Sequence, residues 1–147
     1  MYLGSRDGLK AEYFWNKVNN KDNLLMVFKS KSGSIFGAYS PCKWDYSGSA
    51  NKQDDTLSSF IFSQTHDQIY NLKENNKNQA IHCHINRGPS YGNYNDININ
   101  GDFTDGYSEL GCDYQFDRNN NKNYKTHLYG QEKPEIQECV IYQIQFN

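Results

Sequence analysis

The chain has 147 residues, a formal net charge of −2 at pH 7, four cysteines, and 15% aromatic residues, twelve of them Tyr. That length fits one domain with a real core, and thin aliphatic content makes the core lean on Phe, Tyr and Trp. The absence of a basic stripe argues against a nucleic-acid partner, and no apolar run approaches membrane-spanning length. Met1-Tyr2-Leu3-Gly4-Ser5-Arg6 has no apolar core of the signal-peptide kind, so we read an intracellular chain. Cys42, Cys83, Cys112 and Cys139 are scattered without a C-x-x-C pair, and in that compartment they are expected to stay reduced.

Ala11, Phe14, Trp15 and Val18 fall on one face of a helix spanning Leu9 to Val18, with Ser5 or Asp7 as its N-cap. Leu24 to Lys29 is a short apolar run of strand length. Ser30-Lys31-Ser32-Gly33 is a hairpin turn, and Ile35 to Tyr39 is the returning strand, ended by Pro41. Residues 46–55 read as a polar surface loop. Strands follow at Ser58 to Ser63, with Phe60 and Phe62 on one face, at Gln68 to Leu72 and at Gln79 to Ile85. Lys73 to Asn78 is a solvated turn. Asp96 to Ile99 is a strand with Ile97 and Ile99 on one face, and Tyr114 and Phe116 share a face of another. Lys122 to Lys125 is a loop. Glu138 to Phe146 closes the chain as a β-rich run, with Val140, Tyr142, Ile144 and Phe146 alternating against Ile141, Gln143 and Gln145. Seven or eight short strands and one firm helix predict a mainly β (α+β) fold. Its architecture is a two-layer antiparallel β-sandwich with peripheral helices and long loops, in a single domain over 1–147.

Three segments carry chemical motifs. Gly88-Pro89-Ser90-Tyr91-Gly92 matches G-x-S-x-G, the nucleophile elbow, with His82, His84 or His127 as base and Asp96, Asp102 or Asp105 as orienting acid. The elbow needs a helix after the serine, and Asn93 to Asn98 has no helical period, so a Gly-Pro turn is the better reading. Asp96 to Asp102 fits the first half of an EF-hand loop, but the twelfth position is Tyr107 instead of Glu. Asp102, Asp105 and Glu109 leave a loose calcium site as an alternative. His82 and His84 would share a strand face and could begin a zinc site with Cys112, His66 or His127.

Taken in order, several segments resemble the TLDc domain of the oxidation-resistance proteins. Gly4-Ser5-Arg6-Asp7-Gly8 leads into a helix with Phe14. Phe36-Gly37-Ala38-Tyr39 with Trp44 downstream is similar to the family's Phe-Gly-Gly-Tyr and Trp. Asp54-Asp55 precedes Phe60-Ile61-Phe62-Ser63 like its acidic residue and Phe-x-Phe-Ser strand. Ala80-Ile81-His82, Gly88 to Gly92 and Asp96-Ile97 resemble its Ala-Ile-Tyr, Gly-Pro-x-Phe-Gly and Asp-Leu elements. Leu128-Tyr129-Gly130 and Ile136 to Ile144 resemble its Leu-Ala-Gly and closing strand. Departures are Ala38 for Gly, Tyr91 for Phe, a Gly-rich stretch thinned to Asn93-Tyr94-Asn95, and Val140 where the closing strand carries Glu. The family's N-terminal lead, a helix and strand, is absent before Ser5.

The resemblance implies a sandwich of two antiparallel sheets, no cofactor and no established catalytic site. It also implies a role in oxidative-stress resistance and binding to the peripheral sector of the V-ATPase, in the cytoplasm at the cytosolic face of acidic organelles. The binding candidates it marks are Ser5, Arg6, Asp7, Gly8, Gly37, Trp44, Gly88, Gly92 and Asp96, whose other possible roles are capping, turn geometry and packing.

Overall fold

The computed structural model describes residues 1–48 and 50–146; Ser49, within the loop expected over 46–55, and Asn147 lie outside the described residues. Two antiparallel sheets face each other. The first has six strands: β1 (Tyr2–Leu3), β2 (Leu24–Ser30), β3 (Ile35–Ser40), β5 (Phe60–Ser63), β6 (Gln68–Asn71) and β11 (Ile136–Gln143), in the order β1-β11-β2-β3-β5-β6. The second has five: β4 (Ala50–Lys52), β7 (Ile81–Cys83), β8 (Arg87–Tyr91), β9 (Ile97–Asn100) and β10 (Gly106–Tyr107), in the order β10-β9-β8-β7-β4. The expected mainly β sandwich with peripheral helices is the observed fold. The helical pieces are α1 (Gly4–Asp7), α2 (Ala11–Val18) and a 3-10 segment over Glu74–Gln79.

The β2–β3 hairpin forms as its sequence predicts. Phe28 pairs with Phe36, and Gly33 takes φ +93° in the turn, a conformation that glycine adopts without a steric penalty. Gly37 has a packing reason: a β-carbon there would run into the Met26 carbonyl oxygen and the Phe62 ring. The core between the sheets takes Leu24, Met26, Phe28, Phe36 and Ile61 from the first sheet and Ile81, Tyr91, Ile97 and Ile99 from the second. At one end α2 inserts Phe14, Trp15 and Val18, all buried. Phe14 meets Trp44 edge-on at 6.0 Å, and Trp44 meets Tyr91 at 5.5 Å. Removing any one of these rings would cost about 3–5 kcal/mol.

Five expectations need correcting. Neither Ser5 nor Asp7 caps α2. They lie in α1, and the first N–H of α2 donates to the Gly101 carbonyl at 2.7 Å. The 46–55 loop contains β4, whose polar Ala50-Asn51-Lys52 pairs with β7 through the backbone and so carries no hydrophobic period. Gly88 to Tyr91 is not a turn but a central strand. The ladder shifts register between Arg87 and Ser90, and this bulge accommodates Pro89, which has no N–H to donate. Tyr114 makes an isolated bridge to Leu72, and no strand forms over 114–116. The closing strand β11 ends at Gln143, so Ile144 and Phe146 fall outside the alternation expected to Phe146; within it Cys139 and Ile141 face the core and Val140 and Tyr142 point outward.

Candidate functional site

The Ser5-Arg6-Asp7-Gly8 segment is a turn fastened to the sheet edge. The Ser5 N–H donates to Glu138 Oε1 at 3.0 Å, and the Leu3 N–H donates to Asp7 Oδ2 at 2.9 Å. Arg6 clamps both Asp7 oxygens, Nε to Oδ1 at 3.0 Å and Nη2 to Oδ2 at 2.8 Å. That guanidinium, with the Leu3 N–H, holds the Asp7 carboxyl well below the usual carboxylate range. Gly8 turns the chain at φ +102°, and its carbonyl accepts the Tyr2 hydroxyl at 2.6 Å. Of this segment, the side chains of Ser5 and Arg6 are the exposed ones.

Gly88, Ser90, Gly92 and Asp96 belong to a second, buried constellation. Asp96 Oδ1 accepts the Asp113 N–H at 2.9 Å, and Oδ2 accepts those of Gly111 at 3.0 Å and Tyr114 at 3.1 Å. Its carbonyl accepts the Ser108 hydroxyl at 2.7 Å. Burial pushes the Asp96 carboxyl up to about 7, against the opposing pull of those N–H donors and with help from the neighbouring Asp113 charge. Asp113 in turn accepts Asn76 Nδ2 at 2.7 Å and the Asn93 N–H at 2.8 Å. Gly92, at φ +76°, leaves the room: a β-carbon there would come within 2.6 Å of Asp96 Oδ1. These two aspartates therefore bind the loops around 76, 93 and 108–114 to the second sheet. Gly88 lies in β8 with the Ile99 and Asn100 carbonyls at its back.

Ser90 is fully buried inside β8, and its hydroxyl has no hydrogen-bond partner among the described residues. A strand runs through it where a nucleophile elbow would place an exposed turn before a helix. Trp44 is also fully buried, its indole N–H likewise unpartnered, and its backbone bridges Lys21.

The histidines divide between the two sheets. His82 Nδ1 meets Asn51 Oδ1 at 2.5 Å and its ring packs on Tyr94; burial, with His84 and Arg87 nearby, lowers its pKa to about 4. His84 lies beyond the end of β7, its Nδ1 accepting the Asn86 N–H at 3.1 Å. His66 and His127 stack at 4.0 Å beside β6, where the Tyr70 hydroxyl contacts His127 Nε2 at 2.5 Å. Burial, then His66, lowers His127 to about 4. Cys112 Sγ accepts Arg118 Nη2 at 3.2 Å. Asp102 is spent on its own loop, accepting the Thr104 and Asp105 N–H groups at 2.9 and 3.0 Å. Among the described residues, no group of three or more His, Cys, Asp or Glu side chains is placed to hold a metal ion.

One feature open to solvent is a groove of about 1110 Å³ between α2, the loop after Trp44 and the start of β8. Trp15 forms its floor, its indole N–H donating to the carbonyls of His84 at 3.1 Å and Arg87 at 2.9 Å. Tyr46 meets Trp15 edge-on at 5.4 Å. The Arg87 guanidinium sits 4.5 Å from the Tyr94 ring centre and donates to Asn98 Oδ1 at 3.3 Å. Lys10, Glu12 and Asp102 add charges of both signs at the rim. Sequence reasoning did not single out Tyr46, Arg87 or Tyr94. For the two tyrosines a signal was available, aromatic residues in polar loops outside any hydrophobic period, although Tyr46 also packs against the core.

No helix among the described residues is long and apolar enough to cross a membrane. No curated protein matches the chain significantly. The family model described as the TLDc domain matches residues 1–145, nearly the whole chain. The protein therefore belongs to the TLDc domain family.

Proposed function

We propose that this chain is a non-enzymatic protein-interaction domain that binds the peripheral sector of the V-ATPase and contributes to oxidative-stress resistance. It acts in the cytoplasm, at the cytosolic face of acidic organelles, as a single domain over 1–147. Partner and setting come from the family resemblance. The observation that carries the interaction reading is the contrast between the buried Ser90 and the open 1110 Å³ groove with its aromatic floor and mixed-charge rim. Aromatic and Arg side chains on a fixed scaffold are the residue types that dominate binding energy at interfaces. A module of this kind alters the pump by binding one of its states more tightly than another. Arg6 and Ser5 are the exposed members of the family-pattern set and form a second contact point. Asp7, Gly8, Gly37, Trp44, Gly88, Gly92 and Asp96 act through the scaffold.

The test uses the full chain, immobilised, with V-ATPase peripheral subunits offered in solution. Wild type and Ser90→Ala should enrich them equally, and Arg87→Glu should reduce recovery at least tenfold. No enrichment over an unrelated bait of similar charge would overturn the partner, and undiminished recovery by Arg87→Glu would overturn the groove. A fluorophosphonate probe addresses chemistry directly: the expected result is no labelling, and labelling lost in Ser90→Ala would make the chain a serine hydrolase.

A further inference from the structure

The outer face of the six-stranded sheet is apolar from one edge to the other. One cross-strand row runs Leu3, Val140, Val27, Gly37, Phe62, Ile69, and the next runs Tyr142, Leu25, Tyr39, Phe60, Asn71. None of these side chains belongs to the core between the sheets. Tyr142 is 51% exposed and Ile69 64%, and the rest of the apolar side chains are half-buried, largely against one another: Tyr39 and Phe60 lie 5.7 Å apart, Phe60 and Phe62 6.4 Å. The helices pack elsewhere, α1 on β11 and β1, α2 beside β1 and β8.

A sheet with one solvated face alternates apolar and polar residues. Leu24-Leu25-Met26-Val27-Phe28, Phe60-Ile61-Phe62 and Val140-Ile141-Tyr142 do not alternate; they carry the continuous apolar pattern of strands covered on both faces. One face is covered by the second sheet, and among the described residues no helix packs across the other.

Size and charge select what covers it. At the usual strand spacing the first row, across six strands, is about 24 Å long, and the apolar part of the second, across four, is ~14 Å; together they are ~12 Å wide and cover on the order of 200 Å². A stable dimer needs about 800 Å² from each partner, so a second copy seated here falls well short. The flanks are mixed, with Glu138 directly opposite Lys29 on one side and Asn23 and Asn71 on the other, which gives an anionic membrane nothing to hold. A single α-helix of about 16 residues is ~24 Å long and 10–12 Å across, the dimensions of the stripe. Sheet twist makes the face concave along one diagonal, which suits a cylinder.

We infer that this face is a docking site for one amphipathic α-helix of about four turns, supplied by a partner polypeptide, with an apolar stripe and a charge-balanced polar face. The site is separate from the groove and does not depend on the groove's role.

The probe is a fluorescein-labelled 16-residue peptide with leucines along one helical face and equal Lys and Glu elsewhere. Its control has the same composition with the leucines spread around all faces. Binding to the full chain is read by anisotropy and mapped by amide chemical shifts. Saturable binding of the amphipathic peptide is expected, with shifts confined to β2, β3, β5, β6 and β11. Tyr142→Lys and Ile69→Lys should each weaken it about tenfold while melting like wild type, and Lys122→Glu should leave it unchanged. The inference is overturned by equal binding of the control peptide, by shifts centred on Trp15 and Arg87, or by undiminished binding to both lysine variants. It is also overturned by no saturation up to about 1 mM, or by a dimer in sedimentation equilibrium that Tyr142→Lys dissolves.

Discussion

The two sheets solve the same problem differently. In the second sheet, strand residues that point away from the core include Asn51, His82, Ser90 and Asn98, a polar row. Loops overlie this polar side, with Tyr94 packed on His82 and the 108–114 loop hung from Asp96, while Arg87 of β8 reaches across to Asn98 of β9. In the first sheet the outward rows are apolar, and among the described residues the helices pack elsewhere. The comparison teaches that a sheet's outer covering is written in its strands. Beside the polar outward row, Asp96 ties down the chain's own loop through hydrogen bonds, and the apolar outward rows have no such fastening.

The most damaging way to disturb the first sheet is Gly37→Val. The new side chain meets backbone in β2 and the Phe62 ring, with no flexible neighbour to give way, and should cost about 3 kcal/mol or more in urea unfolding. A loss below 1 kcal/mol would mean that the strands can spread at this point.

The second sheet is attacked through its carboxylate. Asp96→Ala leaves two buried and one half-buried N–H group without their acceptor and should cost about 2–4 kcal/mol, with the fastest gain in amide exchange at Gly111, Asp113 and Tyr114. Unchanged exchange there would separate the loop from the aspartate.

A smaller effect is a pH slope. Burial raises Asp96 to about 7, above its unfolded value near 4, so between those limits the folded chain holds a proton that the unfolded chain has released. Asp96 therefore contributes a stability that is present below about pH 4 and declines as pH rises to about 7. His82 and His127, lowered to about 4, have the opposite sign, since the unfolded state binds their protons first and stability rises with pH from about 4 to the usual histidine value. The informative quantity is the difference between wild type and Asp96→Asn, which should shrink steadily from pH 4 to 7. A constant difference would assign the carboxyl an ordinary pKa.

Least costly are Tyr142→Lys and Ile69→Lys. These side chains are already half or more exposed, so stability should change by no more than about 0.5 kcal/mol. A loss of 2 kcal/mol would show that the outer apolar rows support the fold by themselves and would weaken the contrast between the sheets.

Much of the scaffold was legible in the sequence. The α2 face of Ala11, Phe14, Trp15 and Val18 and the β2–β3 hairpin follow from periodicity and one turn glycine. What escaped did so for identifiable reasons. Pro89 imitates a turn but sits at a bulge in a strand. Ala50-Asn51-Lys52 pairs through its backbone and one polar side chain, Asn51 on His82. The apolar residues on both faces of β11 give alternation no way to choose the inner one. Asp96 stood out by family pattern, but its task, holding three N–H groups from a loop fifteen to eighteen residues on, needs the fold to be visible. The groove draws on residues from Lys10 to Asp102, which no local motif could gather.

We propose above that this TLDc chain works by contact and not by bond chemistry. The most direct measurement is recovery of V-ATPase peripheral subunits on immobilised wild type, Ser90→Ala and Arg87→Glu chains, side by side. Equal enrichment by wild type and Ser90→Ala, with at least a tenfold loss in Arg87→Glu, is the predicted result. Enrichment lost in Ser90→Ala but retained in Arg87→Glu, or absent from all three, would contradict it.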